Sequence, residues 1–349
     1  MNNSRRMVIL AEGAFGLFGS KTGVGAIRYI PRQVVAVIDS TKRGRTVEEV
    51  IGCGDGIPIV ASLEESLGYQ PNTLLVGIAP RGGILPPLWR DIIRTALENG
   101  LHVISGLHIF LSEDPEFSLL ARQQGLLITD LRKPPAAFPV ASGAAASVAA
   151  TVVLTVGSDC DTGKMTVTLE LFKAAVDRGW VADCLPTGQT GMLILGKGLA
   201  VDRVAGDFMA GAVEQMVMES AQDHAWIFVE GQGSLVHPGY SGVTLALLHG
   251  CAPRALVLCH QPSRRSIGEY LGETAFPILP LARLVGLYEE MAGYIRPAQV
   301  AAIALNCFDL SLEETVEVIA RIEVETGIPT TDCIRFGPDK ILDALERLS

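Results

Sequence analysis

The sequence predicts an α/β protein made of two doubly wound domains. Three observations lead there. Apolar runs of strand length alternate with amphipathic or polar segments along most of the chain, the alternation stops at an Ala/Ser/Gly-rich stretch over 136–150, and it restarts at Thr151. At 349 residues the chain is long enough for two cores. A hydrophobic content of 48% and a mean hydropathy of +0.34 suit parallel strands covered on both faces by helices.

In the first domain, 1–135, strands are expected at Met7 to Ala11, Val34 to Ile38, Ile57 to Ala61, Thr73 to Ile78, His102 to Ser105 and Leu126 to Thr129. Helices are expected over Pro87 to Asn99 and Pro115 to Gln124, because each opens on a proline and stops at a glycine, Gly100 or Gly125. Gly13, Gly16, Gly19, Gly23 and Gly25 follow the first strand, and Asp39 ends the second, where an acid can accept hydrogen bonds from a ribose. This makes the domain Rossmann-like. The strict G-x-G-x-x-G spacing is absent, so a glycine-rich turn without a bound dinucleotide is the favoured reading, and Lys21 with Arg28 would also suit an anionic substrate or a coenzyme A phosphate. The segments Ala79 to Gly83 and Ser105 to His108 close strands at their carboxyl ends, with His108 as a candidate proton carrier or a structural histidine.

After the expected linker, 136–150, the second domain spans 151–349. Strands are expected at Thr151 to Val156, Val181 to Leu185, Trp226 to Val229, Ala255 to Cys259, Phe276 to Leu279 and Val300 to Leu305. Helices are expected at Lys164 to Arg178, Asp207 to Asp223, Gly286 to Gly293 and Leu312 to Thr326. The first strand runs into Gly157-Ser158-Asp159-Cys160-Asp161-Thr162-Gly163-Lys164-Met165-Thr166, a turn whose amides and following helix N-terminus suit phosphate oxygens. This makes the domain P-loop NTPase-like, and these ten residues are the expected cofactor site. Five residues, not four, separate the two glycines, and Met165 stands where a Ser or Thr normally holds magnesium. Thr166 occupies the next position, which tends to face the α-phosphate. The loop resembles that of dethiobiotin synthetase and its relatives in length, in the Asp two residues after the first glycine and in the Gly-Lys pair.

Further candidates follow the strands of this domain. Glu230 ends Trp226 to Val229 and precedes Gly231-Gln232-Gly233, a place from which a carboxylate can hold magnesium beside phosphates. Asp207, ahead of a helix, reads equally as a second magnesium carboxylate or an N-cap. Pro186-Thr187-Gly188-Gln189-Thr190-Gly191 gathers hydroxyl, amide and backbone donors for a carboxylate substrate, and Arg264 with Arg265 suits the same role. Substrate contacts are therefore expected from Thr187, Gln189, Thr190, Arg264 and Arg265. His237, close behind Glu230, is the candidate acid or base, with Lys164 the second catalytic candidate. Asn306 ends a strand and suits recognition of a nucleotide base.

A net charge of −10, dispersed along the chain, disfavours nucleic acid as a partner and favours small molecules. Seven cysteines without a CxxC pair read as reduced thiols, Cys160 standing apart only by its place in the loop. No apolar run reaches membrane-spanning length, and Met7 to Ala11 is too short for a secretory signal, so a cytoplasmic location without membrane attachment is expected. Association into a homo-oligomer would be ordinary for such an enzyme.

The phosphate-loop segment, Pro186 to Gly191, Asp207-Phe208-Met209-Ala210-Gly211-Ala212, Glu230 to Leu235, Arg132-Lys133-Pro134-Pro135 and Val37-Ile38-Asp39-Ser40 together resemble a bacterial and archaeal family catalogued as a domain of unknown function. The resemblance spans nearly the whole chain. It implies a Rossmann-like domain joined to a P-loop domain and, from members described as D-glutamate N-acetyltransferases, N-acetyl transfer from acetyl-CoA to an amino acid. A phosphate loop can hold the phosphates of coenzyme A as well as those of ATP, so acetyl-CoA or ATP, the latter with Mg2+, are the expected cofactors. The alternatives are a Mg-ATP-dependent ligase or kinase-like enzyme of the dethiobiotin synthetase type, and a non-catalytic nucleotide sensor. The lysine that meets substrate in dethiobiotin synthetase has no counterpart between Pro186 and Gly191.

Overall fold

The computed structural model describes residues 5–17, 19–78, 85–268 and 276–348. The chain divides into two compact units, one of Met1–Pro134 with Gln189–Ala200 and one of Pro135–Gly188 with Val201–Ser349. Both are parallel-sheet α/β units. No helix among the described residues is long and apolar enough to cross a membrane.

The first unit carries β1 (Met7–Leu10), β2 (Val34–Ile38), β3 (Ile59–Val60), β4 (Thr73–Val76), β5 (His102–Ser105) and β6 (Ile128–Asp130) in the order β3-β2-β1-β4-β5-β6, every pair parallel. All six expected strands form, within two residues at each end. The order reverses between β1 and β4, which places the topological switch at the carboxyl end of β1. Its helices are α1 (Lys21–Tyr29), α2 (Glu48–Ile51), α3 (Leu63–Leu67), α4 (Pro87–Glu98) and α5 (Pro115–Gln124). α5 forms where expected for local reasons: Asp114 accepts from the amides of Glu116 and Phe117, Pro115 opens the helix, and Gly125 closes it at φ +66°. The segment Ala79 to Gly83 lies outside the described residues.

The second unit carries β7 (Thr151–Gly157), β8 (Ala182–Leu185), β9 (Trp226–Val229), β10 (Ala255–His260), β13 (Gln299–Leu305) and β14 (Thr330–Thr331), ordered β14-β13-β10-β7-β9-β8, again all parallel. The strand expected at Phe276 does not join this sheet. β12 (Phe276–Pro277) instead pairs antiparallel with β11 (Ser266–Ile267), and the two-residue β14, too short to signal itself, fills the edge. The helices after β7 and β8 are α6 (Lys164–Asp177) and α7 (Gln189–Leu195), followed by α8 (Gly206–Ser220), α9 (Ser241–Cys251), α10 (Leu281–Gly293), α11 (Leu312–Thr326) and α12 (Asp339–Glu346). α7 belongs to the first unit although β8 and α8 belong to the second. Residues 136–150 pack within the second unit, where Ser142 donates to the Glu214 carboxylate from both its amide and its hydroxyl.

The core of the second unit joins Val153, Val257 and Phe228 of the sheet to Leu171 and Ala175 of α6 and to Ile341 and Leu345 of α12. Each buried leucine- or phenylalanine-sized side chain there contributes about 2 kcal/mol of burial. That clamps α6, and with it the loop ahead of α6, onto the carboxyl end of β7.

Candidate functional site

The loop after β7 has a preformed concave backbone. Asp161 at φ +58° and Gly163 at φ +100° turn the chain so that α6 starts directly at Lys164. Lys164 is buried, and its ammonium donates to the Asp159 carbonyl at 2.7 Å. Gly231, after β9, passes so close to β7 that a Cβ there would stand 1.7 Å from the Thr155 carbonyl oxygen and 3.3 Å from Lys164 Cδ. Its amide donates to Thr155 Oγ1 at 2.9 Å. Only a glycine permits β9 to bring Glu230 to the lysine.

Asp159 has no exposed surface, and both its oxygens are engaged. Oδ1 accepts from the Cys160 amide at 2.7 Å, while Oδ2 accepts from Arg264 Nη1 and from the Gly268 amide, each at 3.0 Å. Arg264 also donates to the Cys160 carbonyl and to Gln261 Oε1. Its guanidinium therefore braces the loop. Arg265 is exposed. Ser158 Oγ lies 2.8 Å from His260 Nδ1, and burial together with the Arg264 charge holds His260 down to about 4, neutral near pH 7. Tyr288, fully buried, donates to the Gly157 carbonyl at 2.7 Å.

Glu230 is buried beside this loop. Its Oε2 accepts from the amides of Thr187 at 3.0 Å and Gly188 at 3.3 Å. Burial pushes its carboxyl up to about 7 against the pull of those amides and of Lys164, and the Asp202 charge adds to the rise. Thr187 has no exposed surface, and its hydroxyl donates to the Glu230 carbonyl at 2.8 Å. Asp207 is exposed in the first turn of α8, whose N-cap position is held by Ala205. The N-cap reading therefore does not describe it.

His237 is buried, with its ring 4.7 Å from that of Tyr240. Its Nδ1 accepts from the Gly239 amide at 3.0 Å, so the neutral ring carries its proton on Nε2 and offers a donor. The structure groups an Asp159 oxygen, the Cys160 sulfur and a His237 ring nitrogen within 4.8 Å of one another. Asn306 flanks the loop, its backbone N–H donating to the His260 carbonyl and its Cβ 3.9 Å from where a Gly163 Cβ would stand. Met165 and Thr166 are half-buried in the first turn of α6.

Gln189 and Thr190 fall in the first unit. There Gln189 Oε1 accepts from Arg132 at 2.8 Å, and the Thr190 and Thr22 hydroxyls lie 3.0 Å apart. His108 is exposed. Asp39, expected at a ribose, has no exposed surface and accepts from the amides of Gly13, Phe15 and Thr41 and from Lys42 Nζ. Burial raises its carboxyl, but the Thr41, Lys42 and Phe15 donors outweigh that and hold it below the usual range. Asp202, His260 and Tyr288 were not legible beforehand. Each acts through a partner distant in sequence, and none stands in a motif.

The family model described as domain of unknown function (DUF1611_C), P-loop domain, matches residues 139–342, and that described as domain of unknown function (DUF1611_N), Rossmann-like domain, matches residues 40–134. A D-glutamate N-acetyltransferase of Tritonibacter scottomollicae is 36% identical over 302 residues, which cover 84% of this chain and 87% of that protein. A second protein of that name, from a Pseudoalteromonas species, is 37% identical over 282 residues, covering 80% of this chain and 83% of the other. The crystal structure of a DUF1611 family protein from Anabaena variabilis ATCC 29413 is similar over 99% of this chain and 100% of its own, at 43% identity and a TM-score of 0.94. With both halves matched and the fold shared from end to end, this chain belongs to the DUF1611 family, with a Rossmann-like N-terminal domain and a P-loop C-terminal domain.

Proposed function

We propose that the protein is an N-acyltransferase that moves the acetyl group of acetyl-CoA to the amine of a small amino acid, D-glutamate by likeness to the relatives of that name. In this reading the loop from Gly157 to Thr166 anchors the phosphates of the coenzyme. The observation that carries it is an anion nest supported without a magnesium shell. Lys164 and the start of α6 supply donors, while Met165 replaces the usual hydroxyl, Asp207 is exposed on α8, and Glu230 already has one oxygen bound by two amides.

Acetyl-CoA supplies an activated thioester. Its pantetheine arm separates diphosphate from thioester by about 15 Å when extended, so a loop that holds the diphosphate does not also perform the acyl transfer. Lys164 and His237 are then anchoring groups, the ammonium against phosphate charge and the His237 Nε2–H as a neutral donor. Glu230 sets the charge around Lys164. This assigns the loop to binding.

One observation favours the second reading, a Mg-ATP-dependent ligase or kinase-like enzyme: Glu230 stands at the end of the strand next to β7, within electrostatic reach of Lys164, where a carboxylate serves γ-phosphate chemistry. The test is turnover of acetyl-CoA and D-glutamate in EDTA without nucleotide. Acetylated product under those conditions supports the transferase, with Lys164→Ala raising the KM for acetyl-CoA far more than it lowers kcat. Product formed only with Mg-ATP replaces it with the ligase reading.

A further inference from the structure

We infer that Thr155 and Thr168 are positioning residues of the phosphate loop: their hydroxyls form a one-way relay from the Gly231 amide to the Lys164 carbonyl, which fixes Lys164 against the turn that carries Glu230. The direction follows from counting protons. Thr168 Oγ1 donates to the Lys164 carbonyl at 2.8 Å, which uses its one proton, so the 2.9 Å bond between the two hydroxyls is donated by Thr155. Thr155 Oγ1 in turn accepts from the Gly231 amide at 2.9 Å. Both threonines are 1% exposed, so the relay satisfies groups that solvent does not reach.

The relay stands where regular pairing stops. β7 and β9 keep register as far as Leu154 and Val229, and two residues later the Gly231 amide goes to the Thr155 hydroxyl. Gly231 also packs against the Lys164 stem, since a Cβ there would stand 3.3 Å from Lys164 Cδ. The contacts therefore close a ring through the Lys164 carbonyl, Thr168, Thr155, Gly231 and the Lys164 side chain, whose ammonium is fixed at the Asp159 carbonyl. A threonine bonded to the carbonyl four residues back is common in helices. Its continuation through a second hydroxyl to another strand is not required by the helix. Nor is Thr155 required by the strand, because from Val152 to Val156 every other residue of β7 is valine or leucine, and valine has the shape of threonine. The hydroxyls therefore serve the loop. With the loop read as the phosphate anchor, they hold the ammonium where phosphate charge arrives.

Calorimetric titration with pyrophosphate and amide hydrogen exchange of the full chain test this. Thr155→Val should weaken pyrophosphate by about tenfold or more, and Thr155→Ser, which keeps the hydroxyl, by less than about threefold. In a Lys164→Ala background the Thr155→Val loss should shrink below about threefold, because the relay acts through that lysine. Thr168→Val should speed exchange at the Gly231 amide more than about fivefold, although a second hydroxyl separates the two. It leaves β7 intact and carries the binding test as well should Thr155→Val fail to fold. Unchanged pyrophosphate affinity in the valine variants, an equal loss with and without Lys164, or a Gly231 amide indifferent to Thr168→Val overturns the inference. A wild-type chain that binds no pyrophosphate removes the anchoring role of the loop instead, and the Gly231 exchange then decides the relay by itself.

Discussion

The two units place glycine-rich turns at the same point of the same architecture, and the turns differ in what occupies their amides. After β1, the carboxylate of Asp39 reaches across from β2 and accepts from Gly13 and Phe15. The turn thus meets a negative charge from its own fold. After β7, the corresponding acid, Asp159, is turned inward and neutralised by Arg264 and the Gly268 amide, while Lys164 adds positive charge. One turn's amides meet a carboxylate from the same unit, and the other, in the proposed function, meets the anion of a ligand. Glycine spacing provides the bend, but the neighbouring side chains decide whether it binds.

The strongest way to break this comparison is to remove the arginine. Arg264→Ala leaves Asp159 as a buried charge held only by amides, at a cost of about 3–5 kcal/mol. Hydrogen exchange across a urea series reports it in each unit separately, with Trp180 and Trp226, stacked at 4.2 Å, as a fluorescence probe of the second. Adding Asp159→Asn should recover part of the loss. Equal destabilisation of both units would contradict the proposed contrast.

Acid should separate the two turns next. His260 is held neutral in the fold and charges near 6.5 when unfolded, so its contribution is complete above about 6.5 and is lost as the pH falls toward about 4, on the order of 3 kcal/mol. Glu230 works in the opposite sense, its contribution present below its ordinary value of 4.5 and lost as pH rises through about 7. The difference between wild type and His260→Gln isolates the histidine. Hydrogen exchange should show the β7 loop opening between pH 6.5 and 4 in wild type only, with the Asp39 turn unaffected until lower pH.

Ligand binding sharpens the contrast further. Lys164→Ala should weaken coenzyme A or ATP by about 30-fold, roughly 2 kcal/mol for a charge-assisted hydrogen bond, in calorimetric titration. Lys21→Ala, in the filled turn, should change it by less than about twofold. Asp39→Asn should cost about 1 kcal/mol of stability, because the amide keeps one acceptor for the turn. New nucleotide binding by that variant would show that the carboxylate alone had kept the first turn closed.

Much of the fold was legible because parallel strands buried on both faces read as continuous apolar runs, and prolines, glycines and acids punctuate the helices between them. α9 was missed for a related reason. Ser241–Cys251 is apolar nearly all round, and Gly250 lets it approach α8 so closely that a Cβ would stand 2.4 Å from the Ala210 carbonyl, so no helical period shows. The phosphate loop was legible because its backbone geometry demands particular residues at fixed spacing. Its supporting side chains were not.

The sequence by itself determined two α/β units, the place of the loop and the place of Glu230 at the end of a strand, since each depends on neighbours along the chain. Tertiary structure alone decided that Arg264 braces Asp159, that His237 presents a proton, that Asp207 is exposed on α8 and that α7 belongs with the first unit. The reason is physical. A charged or hydrogen-bonding side chain can meet any partner the fold brings within about 3 Å, and separation along the chain places almost no limit on that choice.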